Sequence, residues 1–144
     1  MGQPTILVIE DDSTDFLLLE RAFRKAQIAA QLHWSKNGLH AIDYLKELKE
    51  AGKAFPVLIL SDLKMPLLDG FDVLQVIKAD PLLRAIPVVV LTGSARDADI
   101  SKCYELGTNS YLVKPSDFNS LIEASKTLHR YWISLNRTIV HSKH

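Results

Sequence analysis

The sequence predicts an α/β fold: a doubly wound, five-stranded parallel sheet with helices on both faces. Three observations predict it. Short apolar, β-rich runs recur five times along the chain, helix-spaced segments separate them, and the runs stop at polar or turn-forming residues. Strict alternation of strand and helix implies βαβ crossovers and a mostly parallel sheet.

Thr5–Ile9 (T-I-L-V-I) is the first strand, and it stops at Glu10, Asp11 and Asp12. Ser13-Thr14-Asp15 supplies an N-cap, and Phe16, Leu19, Ala22, Phe23 and Ala26 follow at helical spacing. Gln31–Ser35 is a less apolar second strand, ended by Asn37-Gly38. Leu39, Ile42, Leu45 and Leu48 form the apolar side of a second helix, with Lys46, Glu47, Lys49 and Glu50 opposite. Gly52 stops it. Val57–Leu60 is the third strand, and its unbroken apolar character suits burial on both faces. Asp62 follows where this strand ends and a loop opens, and Met65-Pro66 and Asp69-Gly70 read as loop and turn.

Phe71, Val73, Leu74 and Ile77 mark a third helix that ends before Pro81. Pro87 introduces the fourth strand, V-V-V-L, which stops at Thr92-Gly93-Ser94. A charged helix from Ala95 to about Leu106 closes at Gly107. Ser110–Val113 is the fifth strand, terminated by Lys114-Pro115-Ser116. Ser116 or Asp117 caps a last helix striped by Phe118, Leu121, Leu128, Trp132 and Leu135, and 136–144 reads as a flexible tail. No repeat or linker interrupts this pattern. The expectation is a single domain over 1–144 with its core at about 5–135.

Composition narrows the function. Of 144 residues, 47% are apolar and 24% charged, which is globular. Lys+Arg and Asp+Glu both number 17, and this balance argues against DNA as a partner. Cys103 is the only cysteine, so an intramolecular disulfide is impossible and a reducing compartment is expected. No apolar run approaches the ~20 residues of a membrane span. The start of the chain lacks the charged and apolar regions of a signal peptide. A cytoplasmic protein without membrane attachment is expected.

In a parallel sheet the carboxyl ends of all strands lie on one edge, where ligands of open α/β sheets bind. Glu10 and Asp11, Asp62, Thr92 and Lys114 therefore converge on one rim. Clustered carboxylates repel unless a cation neutralises them. Mg²⁺ fits, because it takes hard oxygen ligands and keeps waters and a phosphate oxygen. One carboxylate can then attack phosphorus as an aspartyl nucleophile. A hydroxyl and an ammonium such as those of Thr92 and Lys114 are suited to hold the transferred oxygens.

The motifs D-x-K-M-P-x-x-D-G, L-T-G and Y-L-V-K-P, in this order and spacing, resemble a response-regulator receiver domain of two-component signalling over about Thr5 to Leu135. The resemblance implies a flavodoxin-like sheet of order 2-1-3-4-5. It implies that Asp62 is the phosphoacceptor, and that Glu10, Asp11, Asp62 and the backbone carbonyl of Lys64 hold Mg²⁺. Thr92 matches the switch hydroxyl, Lys114 the phosphate-pairing lysine, Tyr111 the switch aromatic, and Pro115 a following cis proline. Within the family the chain is similar to stand-alone regulators associated with bacterial phytochrome kinases, through Leu39–Phe55, S-D-L-K-M-P and H-R-Y-W-I-S-L. The implied partners are a sensor histidine kinase, which the likeness to phytochrome-associated regulators makes one of phytochrome type, and a second copy joined through helix 4, strand 5 and helix 5. The implied activity is self-catalysed phosphotransfer and dephosphorylation, not that of an enzyme, and no output domain is expected.

Other assignments of these residues are weaker. Glu10, Asp11 and Asp12 could serve only the positive end of a helix, but Asp62 and Lys114 give them company. Asp12 suits capping, Ser94 a structural role, and Cys103 an inert one. An aspartyl-phosphate phosphohydrolase of the haloacid-dehalogenase type wants an acid two residues after its nucleophile, where this chain has Lys64. A flavodoxin-like nucleotide binder wants a Gly- or Ser/Thr-rich loop after the first strand, where this chain has acids.

Overall fold

The apolar runs hydrogen-bond edge to edge because the central strands, covered on both faces, have no water to satisfy their backbone. The computed structural model describes residues 2–138. Its elements are β1 (Thr5–Ile9), α1 (Ser13–Lys25), β2 (Gln31–Ser35), α2 (Gly38–Ala51), β3 (Leu58–Ser61) and α3 (Gly70–Ala79). A single 3-10 turn, Leu83–Ala85, leads to β4 (Val88–Thr92), α4 (Asp97–Glu105), β5 (Ser110–Val113) and α5 (Phe118–Leu128). The sheet is parallel throughout, in the order β2-β1-β3-β4-β5. The expected fold and strand order hold.

Strand side chains alternate between faces, which divides the core in two. Leu7, Ile9, Ile59, Val88 and Val90 pack with Ala41, Ile42 and Leu45 of α2, Val73, Leu74 and Ile77 of α3, and Cys103 of α4. Ile6, Val8, Leu58, Leu60, Val89 and Leu91 pack with Phe16, Leu19 and Phe23 of α1 and Leu128 of α5. Each fully buried aliphatic or Phe side chain contributes about 1.5–3 kcal/mol. These two layers clamp the strands, so their carboxyl ends form a rigid rim.

Local chemistry at the helix starts differs from the expectations in two places. Ser13-Thr14-Asp15 does not supply the cap of α1; Asp12, for which capping was also expected, does, because its carboxylate accepts from both Thr14 and Asp15 N–H. Asp69 is more than a turn residue: with Asp72 it forms a reciprocal capping box that starts α3. Asn37 caps α2, and Gly52, at φ 64°, ends it in the left-handed conformation. Asp117 caps α5.

The expected stripe on the last helix is only partly buried. After Leu128 the helix widens into a π-helical segment, His129–Leu135, which turns Leu135 out to 62% exposure. Trp132 remains packed against the α1 and α5 layer. Of the tail expected over 136–144, the part from 139 onward lies outside the described residues. Asn136 still donates to Tyr131, and Thr138 Oγ1 to the Ala85 carbonyl at 3.1 Å.

Candidate functional site

Strand register, set by the two buried layers, brings the site together. Ile9 pairs with Ser61, and Thr92 with Val113. The next residues in the first pair of strands are Glu10 and Asp62, and Lys114 follows Val113. Backbone bonds carry the pairing past the strands: Asp62 N–H donates to Ile9, Glu10 N–H to Ser35, and Lys114 N–H to Thr92 at 2.7 Å.

Lys114 is the centre of the cluster. Its Nζ donates to Glu10 Oε1 at 2.6 Å, Asp15 Oδ2 at 2.7 Å and Asp62 Oδ2 at 2.9 Å. An ammonium has three protons, and all three are used. Asp62 is 9% exposed and Glu10 6%. The second oxygen of Asp62 accepts from Leu63 N–H at 2.6 Å, and that of Glu10 from Asp12 N–H at 3.2 Å. Among the described residues, no buried side-chain nitrogen or oxygen lacks a partner.

The two buried carboxyls lean opposite ways. Burial drives Glu10 up to about 7, helped by the neighbouring Asp62 charge and only partly countered by Lys114. Burial also pushes Asp62 up, but the hydrogen bond and charge of Lys114, the nearby Thr92 hydroxyl and the Leu63 N–H together outweigh it and hold Asp62 below the ordinary range. Asp62 therefore gives up its proton more readily than Glu10, and an ionised carboxylate is the form that a nucleophilic role would require. Burial alone would lower Lys114, yet its three acids raise it well above an ordinary lysine.

One carboxylate oxygen from each of Glu10, Asp11 and Asp62 lies within 4.8 Å of the others. Three hard oxygens at this spacing could hold a divalent metal ion, and Asp11 faces solvent, which leaves room for waters. The fit extends to charge. Glu10 ionises reluctantly with only Lys114 as counter-charge, and a divalent cation supplies what that single ammonium does not.

The remaining expected residues fall around this centre. Thr92 ends β4, buried. Tyr111 lies on β5 with its hydroxyl donating to the Ser94 carbonyl at 2.9 Å, while Ser94 Oγ donates to Asp99 at 2.6 Å. Ser94 thus has the structural part expected of it. Lys64 is exposed in the loop behind Asp62. The Lys114–Pro115 bond is trans, contrary to the cis expectation. An X–Pro amide prefers trans by about 0.5–1 kcal/mol, and in trans Lys114 already reaches all three acids.

Two residues escaped the sequence reading. Asp15 stood only as a capping candidate, although an acid in the first turn of α1 lies at the same rim. Trp34 was not singled out, yet its indole N–H donates to the Glu10 carbonyl at 2.8 Å and its ring stacks on Phe16 at 4.7 Å. The contact follows from the register of β2 on β1, which sets Trp34 opposite Val8 and which the sequence does not specify.

Comparison with known proteins agrees with this geometry. A family model described as the response regulator receiver domain matches residues 6–126. The "Probable methanogenesis regulatory protein FilR2" of Methanothrix harundinacea is 39% identical over 133 residues, covering 92% of this chain and 86% of the relative. "Response regulator Rcp1" of Synechocystis sp. is 36% identical over 129 residues, covering 89% and 88%. Among solved structures, the phosphorylated cyanobacterial phytochrome response regulator RcpA superimposes with a TM-score of 0.85 at 33% identity, covering 95% of this chain and 99% of that one. The Mn²⁺-bound form of Rcp1 gives 0.82 at 33% identity, covering 94% and 99%.

Proposed function

Because the chain belongs to the response regulator receiver domain family, we propose that it is a phosphorylation switch whose acceptor is Asp62. The observation that carries this reading is the Asp62 carboxylate. It is buried at the end of β3, held ionised, gripped by Lys114 at 2.9 Å, and clustered with Glu10 and Asp11. A sensor histidine kinase, of phytochrome type by analogy with RcpA, is the donor.

In the transfer an Asp62 oxygen attacks phosphorus of a phosphohistidine. The O–P bond forms as the N–P bond breaks, and the imidazole nitrogen leaves with the electron pair and takes up a proton. Lys114 and the Thr92 hydroxyl hold phosphoryl oxygens and offset their charge. Glu10, Asp11, Asp62 and the Lys64 carbonyl are the ligands proposed for Mg²⁺, which would supply charge neutralisation for the incoming phosphate when bound. That the relative Rcp1 has a Mn²⁺-bound form supports a divalent ion for this chain.

Phosphorylation adds charge and acceptor oxygens beside Thr92 and Lys114. Thr92 shifts toward them, and Tyr111 gives up its bond to Ser94 and follows, which shifts the population of two states of the α4, β5 and α5 surface. That surface exposes Tyr104 and Val113, and the π-helical continuation exposes Tyr131 and Leu135. Homodimerisation through it, in the cytoplasm and without DNA contact, is the proposed output of this domain. No helix among the described residues is long and apolar enough to cross a membrane.

The test is incubation with Mg²⁺ and a small phosphodonor. The protein gains one acid-labile phosphoryl group and shifts toward dimer by sedimentation. An Asp62→Asn variant that still gained the group would remove the assignment. An unchanged monomer would remove the dimer alone.

A further inference from the structure

We propose that Asp15 is a positioning residue for phosphoryl transfer, the one partner that keeps the Lys114 ammonium in place while its other two partners change role. The inference rests on the reading of Asp62 as acceptor and Glu10 as metal ligand.

Lys114 is a flexible side chain, and its ammonium is useful only if it stays at the rim. Three carboxylates hold it there, at 2.6, 2.7 and 2.9 Å. Two of them are reassigned during the cycle. Glu10 turns to the divalent cation, and Asp62 exchanges its charge for a bond to phosphorus. Asp15 does neither, for it stands outside the cluster of Glu10, Asp11 and Asp62 whose oxygens converge.

Asp15 is also well anchored. Its N–H donates to the capping Asp12 carboxylate at 3.2 Å. The next residue, Phe16, is buried and stacks on Trp34 with ring planes 3° apart. The first turn of α1 is thus a fixed post, and through Asp15 it holds a lysine 99 positions later in the chain. An acid here also favours the positive end of the helix. That contribution acts on stability and leaves the transfer rate untouched, so the two roles separate by measurement.

The experiment uses the full chain with saturating Mg²⁺ and acetyl phosphate as donor, and follows acid-labile phosphoryl gain over time. Asp15→Asn slows the gain roughly tenfold, the scale known for groups that orient metal ligands from behind. Asp15→Glu, which keeps the carboxylate, recovers most of the rate. Lys114→Ala is slow by itself, and adding Asp15→Asn slows it no further, because the two residues act as one unit. Circular dichroism checks folding, with Asp15→Ser as substitute should the Asn variant not fold. A wild-type rate for Asp15→Asn, or equal slowing with and without Lys114, overturns the proposal. A wild-type rate for Lys114→Ala instead overturns the underlying reading of the site, and this inference with it.

Discussion

Trp34 Nε1 donates to the carbonyl oxygen of Glu10 at 2.8 Å, tying an edge strand to the acidic loop. Glu10 N–H is bound to Ser35 on the same strand at 3.0 Å. Both backbone groups of Glu10 therefore lean on β2, which lies at the sheet edge. The loop that carries Glu10 and Asp11 is positioned by a strand that contributes no acid of its own.

Trp34→Phe keeps an aromatic ring against Phe16 and deletes the donor. The orphaned carbonyl costs about 1–2 kcal/mol of stability, read from urea unfolding. Divalent-cation affinity falls roughly tenfold, as for other supporting contacts of metal ligands, and a Mg²⁺ titration measures it. Unchanged affinity would show that β2 does not position the acids.

Glu10 supplies a pH dependence. Its carboxyl binds a proton more tightly folded, at about 7, than at the ordinary 4.5. Its contribution to metal-free stability is therefore full below about 4.5 and is lost as pH rises to about 7. A divalent cation competes with the same proton, so apparent Mg²⁺ affinity climbs from pH 6 to pH 8 and then levels. Glu10→Gln removes both trends. Thermal melts and Mg²⁺ titrations across this range check the sign.

Gly70 is required by close approach. A Cβ there would run into the Asp62 carbonyl and stand 2.7 Å from Leu63 Cα. Gly70 N–H also donates to the Leu63 carbonyl at 2.8 Å, so the start of α3 lies directly on the loop that carries Asp62. Gly70→Ala gains up to about 1 kcal/mol of helix propensity. The clash costs about 1–3 kcal/mol and displaces the Leu63 N–H that orients Asp62. A lower melting temperature together with slower phosphoryl gain is expected, and a more stable variant with normal gain would contradict the packing.

The sequence by itself determined the alternation of five strands and five helices, and with it the rim. A buried parallel strand is legible as an apolar run, and the residue after it must lie at the carboxyl edge, so Glu10, Asp62, Thr92 and Lys114 were placed by local pattern alone. What only the tertiary structure decided is which groups touch. Asp15 and Lys114 meet across 99 residues, and Trp34 reaches Glu10 through the pairing of β1 with β2. The choice of Asp12 over Ser13-Thr14-Asp15 as the cap and the trans bond before Pro115 were likewise settled by backbone geometry. Apolar periodicity records burial along one chain segment, whereas a hydrogen bond depends on angles and distances between segments that no single stretch encodes.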